Sequence, residues 1–315
     1  MPSFIYITSL STHFRRLKKS LALSPAHLWI WPLVCLLVAC SDGSEAQSAQ
    51  NKSLRVILMW HDKTVTCNEP LLAQWHLAQL QFYLSNFTLN GQPITLKTHA
   101  DLETLSHQQK NLLLLGGDCQ GKENWTIDFE KPLIPGLMSF ELGVPFKLNH
   151  GNPLKALPPL NQSDMFWTWQ QGHKFLRLDL NKTNQPNSAA SANQTTASIP
   201  LASLQTGWQF HLGSIGCQSA SVMRAPLKAC HYPNRAKVEL AYQGEQKLIL
   251  DLAPLLTTVL NDDKLSQQAC MSDPQSLSCQ PLFNALGINS ASEAALTLKP
   301  LDSDISDTPK MWRFN

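Results

Sequence analysis

Alternation of apolar and polar residues with a period of two recurs through most of this chain. It constrains the fold more than any other feature, because a strand turns successive side chains to opposite faces. The segment from Glu141 to Asp179 shows it best. Leu142, Val144, Phe146 and Leu148 fall on one side of a run that ends at Asn149, His150 and Gly151, where the chain must turn. A proline-rich connector with Pro153, Pro158 and Pro159 then leads to Phe166-Trp167-Thr168-Trp169. Leu176, Leu178 and Leu180 alternate with Arg177 and Asp179 in a second strand, which is expected to pair with the first. His150 is thereby predicted at a strand end.

Other runs repeat the pattern. Leu54 to Trp60 reads as a buried first strand, followed by a loop from His61 to Cys67, and Glu69 to Ala78 as a short helix or loop. Leu80 to Leu89 stops at Asn90-Gly91, the strongest short hairpin signal, with Ile94 to Thr98 as the returning strand. Asn111 to Leu115, Trp125 to Phe129 and Gly207 to Ser214 add further strands, and Lys237 to Tyr242 with Lys247 to Asp251 reads as a hairpin around Gly244. Asn181 to Pro200, rich in Asn, Thr, Ser, Ala and Gln, reads as an exposed insertion loop. Helical spacing enters only beyond Leu252, and again in Leu282 to Leu286. The expectation is an all-β chain: a β-sandwich of short antiparallel strands with a small helical C-terminal portion.

The first 39 residues have the order of a secretion signal, with Arg15, Arg16, Lys18 and Lys19 ahead of an apolar run from Leu28 to Ala39. Leu37-Val38-Ala39-Cys40 resembles a lipobox, making Cys40 a lipid-bearing mature N-terminus and 1–39 a removed signal peptide. A spanning helix needs roughly 20 apolar residues, so a transmembrane anchor is the weaker reading. Ser41 after the cysteine directs the expectation to an outer membrane lipoprotein, facing the periplasm or the cell surface. Residues 40–52 form a flexible tether, and 53–315 a single domain. Removing the four basic residues from 25 leaves 21 against 23 acidic ones, near −2, which gives no electrostatic case for nucleic acid.

An oxidising compartment changes the meaning of cysteine. With Cys35 removed and Cys40 lipidated, six remain, without any C-x-x-C. The neighbours Cys217/Cys230 and Cys270/Cys279 close local loops, leaving Cys67 with Cys119. No G-x-S-x-G, H-E-x-x-H, P-loop or dinucleotide fingerprint occurs, so the common catalytic classes lack motif support. His150 at a strand end and His211 on an alternate strand face are the metal-capable residues that a sandwich brings close, although a lone strand histidine is more often structural.

Gly143 to His150, Met165 to Arg177 and Phe210 to Cys217 are similar to segments of the MbnP family, methanobactin-associated copper-binding periplasmic proteins. Leu80 to Asn86, Pro233-Asn234-Arg235, Asp251-Leu252, Cys270 and Cys279 extend the resemblance across nearly all of the mature chain. The resemblance implies one copper ion bound by histidines and by a kynurenine that a MauG-like di-haem enzyme makes from tryptophan. Intact indole nitrogen is only a donor; opening the ring creates an aryl amine that can coordinate. Carried over, His150 and His211 are the motif histidines and Trp167 or Trp169 the modified residue, with His61 a further candidate. His173 stands where the family has tyrosine and is a weaker candidate. The implied function is a copper binder in acquisition or homeostasis, not an enzyme. The competing readings are a redox-active electron-transfer protein and an interaction lipoprotein without metal.

Overall fold

In the computed structural model the described residues are 51–67, 69–72, 74–98, 107–120, 123–183, 205–288 and 311–315. The signal segment, Cys40, most of the tether and most of the predicted insertion loop lie outside them. The strands are β1 (Ser53–Trp60), β2 (Lys63–Thr64), β3 (Pro70–Leu72), β4 (Trp75–Leu89), β5 (Gln92–Pro93), β6 (Gln108–Gln109), β7 (Leu112–Gly117), β8 (Thr126–Asp128) and β9 (Gly136–Leu142). A helical turn, α1 (Phe146–Asn149), follows, then β10 (Phe166–Thr168), β11 (Gly172–Thr183), β12 (Gln205–Gly213), β13 (Ala236–Tyr242) and β14 (Lys247–Asp251). Helices α2 (Ala253–Leu260) and α3 (Gln280–Ala285) precede the last strand, β15 (Trp312–Phe314).

Two sheets result. The smaller runs β15-β14-β1-β2, with β8 also on β1; its β1–β14 pair is parallel and the others are antiparallel. The larger, ten-stranded sheet is antiparallel and is built on the 15-residue β4. The first half of β4 pairs with β11 and its second half with β9, while β7 runs along the opposite edge. Phe82 of β4 and Phe140 of β9 meet Trp312 of the smaller sheet edge-on, at 5.9 and 5.4 Å between ring centroids. The sheets therefore close face to face over an apolar core, the all-β arrangement that the alternation predicts. Among the described residues no helix is long and apolar enough to cross a membrane.

Several local expectations are overturned. Glu69 to Ala78 is neither helix nor loop: it holds β3 and the start of β4, with Trp75 and Leu77 buried against the core. The run from Leu142 to Leu148 is not one strand. β9 stops at Leu142, Gly143 takes φ 142°, and the Pro145 carbonyl accepts hydrogen bonds from the amides of Leu148 and Asn149, closing α1. His150 thus ends a helical turn. Nor does β9 pair with β11, because β4 lies on both. β13 and β14 are not a hairpin; they belong to different sheets, pairing with β9 and β1. The strand returning after Asn90-Gly91 is only Gln92–Pro93, and Leu96 bridges Phe129 instead.

The three predicted disulfides are present: Cys67–Cys119, Cys217–Cys230 and Cys270–Cys279. The last holds a segment against β12, where the amide of His211 donates to the Cys270 carbonyl and that of Cys270 to the Gln209 carbonyl, both at 2.9 Å.

Candidate metal centre

In register, Arg177 of β11 faces His211 of β12 and Gln81 of β4, and Asp179 faces Gln209 and Gln79. Leu178, Leu180, Phe210 and Leu212 alternate with them and are buried in the core. The pleat thus sorts polar residues onto the outer face of three adjacent strands. There His211 Nε2 donates to Asp179 Oδ1 at 2.8 Å, and Arg177 Nε donates to Asp179 Oδ2 at 2.8 Å. Burial pushes the Asp179 carboxyl up, but His211 and Arg177 together outweigh it and hold the group below the usual carboxylate range. With Nε2–H engaged by the carboxylate, the lone pair of a neutral His211 ring sits on Nδ1. This is the carboxylate–histidine arrangement that orients metal ligands.

Gly213 lies two residues from His211 on the same face of β12, and Trp167 of β10 covers it. A Cβ at Gly213 would lie 2.6 Å from Trp167 Cζ3 and 3.1 Å from Cη2. The absence of a side chain there lets the indole settle onto the strand. Opposite Gly213, Lys174 is buried and donates to the Asp164 carbonyl at 2.7 Å. Burial, with the Arg177 charge added, lowers the Lys174 pKa.

His150 is buried at 6% exposure. Its Nδ1 donates to the Trp169 carbonyl at 3.2 Å, which leaves the lone pair on Nε2. That nitrogen lies 3.3 Å from Asn149 Nδ2 and 3.7 Å from Cys230 Sγ. Burial lowers the His150 pKa; the Trp169 carbonyl opposes this and nearby His173 adds to it. The ring is thus held neutral, as a metal ligand must be. Asn149 Oδ1 accepts the His173 amide at 2.7 Å, and Asn149 Nδ2 reaches Ser214 Oγ at 3.5 Å.

Of the predicted residues, His150, His211, Trp167 and Trp169 lie in two connected places at one end of the large sheet. His150 meets the backbone of Trp169, and the Trp167 ring lies against Gly213, two residues from His211, with Asn149 and Ser214 between the two places. Trp167 and Trp169 do not share a strand face, since β10 ends at Thr168. His61 is elsewhere: exposed, with φ 53°, at the end of β1 on the smaller sheet, its amide donating to Asp251 Oδ1 at 3.0 Å. His173 is completely buried, with Nδ1 2.7 Å from the Asn149 carbonyl and Nε2 3.0 Å from the Leu160 carbonyl. Among the described residues, the groups of three close His, Cys, Asp or Glu donors are His150–Cys217–Cys230 and Cys67–Cys119–Glu123, and both contain bridged cysteines.

Sequence reasoning missed Asp179 and Asn149. Asp179 was findable, because it shares the outward parity of Arg177. Asn149 was not, because its role depends on a turn rather than a strand.

The MbnP family profile matches residues 49–273, more than half of the chain. The fold is similar to that of MbnP from Methylosinus trichosporium, with a TM-score of 0.58 and 24% sequence identity over 77% of this chain and 90% of that one. Comparison with curated proteins gives no match. A sandwich of this topology, with its histidines and tryptophans at one sheet end and a family profile running through them, means that the chain belongs to the MbnP family.

Proposed function

We propose that the chain is a periplasm-facing copper-binding lipoprotein, anchored in the outer membrane through Cys40 and serving copper acquisition or homeostasis. It is a binder rather than an enzyme. His211 Nδ1 and His150 Nε2 are its imidazole ligands, and a kynurenine made from Trp167 by a MauG-like di-haem enzyme supplies the third nitrogen. Copper stands at the top of the divalent series for nitrogen ligands, and bound there it is a cation held for transfer.

The observation that carries this reading is the pairing of His211, fixed by Asp179, with Trp167, seated on Gly213 of the same strand face. It favours Trp167 over Trp169, whose carbonyl instead orients His150. For His150 to ligate, the Asn149 amide must give way at Nε2, which also disturbs its contacts with the His173 amide and Ser214 Oγ.

Co-production with the di-haem enzyme and peptide mass spectrometry test the modification. The expected result is a gain of about +4 Da on the peptide bearing Trp167, the mass change of the ring opening that creates the ligating amine. Unmodified Trp167 in protein that binds copper would remove the kynurenine from the site.

A further inference from the structure

A second donor set adjoins His150. Cys230 Sγ lies 3.7 Å from His150 Nε2, and the sulfurs of Cys217 and Cys230 form with this imidazole a group whose ligand atoms all lie within 4.8 Å of one another. All three residues are buried. The Trp169 carbonyl holds the other ring nitrogen, so the lone pair of His150 is on the side of the sulfurs. While the bridge is closed neither sulfur is a thiolate, and the thiolate is the metal-binding form of cysteine. Opened, the same atoms become two thiolates and one neutral imidazole. Metal–sulfur bonds of about 2.3 Å and metal–nitrogen bonds of about 2.0–2.1 Å require these donors to move by only on the order of 1 Å. The intervening loop, 218–229, is mostly exposed, and its Val222 carbonyl accepts the Gln170 amide at 3.3 Å.

We propose that Cys217, Cys230 and His150 form a redox-gated site for a thiophilic d10 cation, Cu(I) foremost. A dithiol opens it by exchange: it gives two electrons and two protons to the Cys217–Cys230 bond and leaves as its own disulfide, and the protein gains two thiols. Binding the cation releases those two thiol protons to solvent. Soft sulfur donors select Cu(I) over the harder divalent ions. The site shares only His150 with the proposed copper centre; it needs neither His211 nor a modified tryptophan.

The mature chain from residue 40, carrying Cys40→Ser so that only the six bridging cysteines remain, is reduced with a phosphine so that no free small thiol competes, titrated with Cd(II) and followed by thiolate-to-cadmium absorbance. Wild type and His211→Ala give the same tight signal, whereas His150→Ala weakens it by about tenfold or more, as the loss of one ligand requires. The Cys217→Ser/Cys230→Ser variant retains only the baseline of the other cysteines, and the oxidised chain gives no signal. Equal affinity in His150→Ala and wild type overturns the proposal. So does an undiminished signal in the double variant, or loss of the native near-ultraviolet dichroism on reduction, since the site needs a folded His150. Because His150→Ala and His211→Ala keep every cysteine, their comparison decides the matter even where the double variant does not fold.

Discussion

At the scale of single residues, His173 shows how burial sets a charge state. Both ring nitrogens face carbonyl oxygens, and a neutral ring carries a hydrogen for only one of them. Protonation would satisfy both, yet burial outweighs the two carbonyls and holds the pKa below 6.5. Below 6.5 the unfolded chain therefore binds a proton that the folded one refuses, so stability is greatest above that value and declines as the pH falls beneath it. Asp179 acts further down: its folded pKa lies below 3.8, so its contribution is present above 3.8 and is lost as the pH falls through the folded value. Urea midpoints measured from pH 8 to pH 5 should fall below about pH 6.5, and His173→Phe should flatten that fall. An unchanged slope in the variant would assign the titration elsewhere. His150 and His211 were legible as residue types that bind metals, but their tautomers were not. Those depend on Trp169, Asn149 and Asp179, partners that only the folded chain brings near.

Among elements, the seating of Trp167 on Gly213 is the contact on which the centre most depends. Gly213→Ala places a methyl group against the indole and 3.0 Å from the His173 carbonyl oxygen, with no change in backbone sign. The ring must move, with an expected cost of about 1–3 kcal/mol, typical of overpacking. Chemical denaturation reads the cost, and Trp167 emission, compared with that of a Trp167→Phe control, reads the displacement. Full stability with unaltered emission would show that the ring does not rest there. The strands themselves were readable because their alternation is local; β4, β11 and β12 appear where the pattern puts them, apart from the early start of β4 at Trp75. Their partners were less readable. β13 and β14 are close in sequence yet diverge to separate sheets, because β14 satisfies its backbone along β1 and β13 along β9. The same limit hid α1, where the apolar spacing of Val144, Phe146 and Leu148 also suits a strand and Pro145 redirects the chain.

For the whole molecule, three disulfides tie loops to the sandwich, and they differ in how much chain they enclose. Cys67–Cys119 spans 52 residues and Cys270–Cys279 only 9. Loop-closure entropy predicts that Cys67→Ala/Cys119→Ala costs about 4 kcal/mol and Cys270→Ala/Cys279→Ala nearer to about 2.5 kcal/mol. Guanidinium unfolding of the two double variants gives the order; the reverse order would mean that the hold of the Cys270 segment on β12 outweighs chain entropy. The architecture gathers the candidate ligands at one end of the large sheet, with His61 left on the other sheet. Copper competition titration of the mature-type protein against a chromophoric Cu(I) chelator tests that assignment most directly, with His211→Ala, His150→Ala and His61→Ala side by side. Binding of one equivalent by wild type and His61→Ala, with affinity reduced by at least about tenfold in each of the other two, is the predicted result. Undiminished affinity in both His150→Ala and His211→Ala would contradict it.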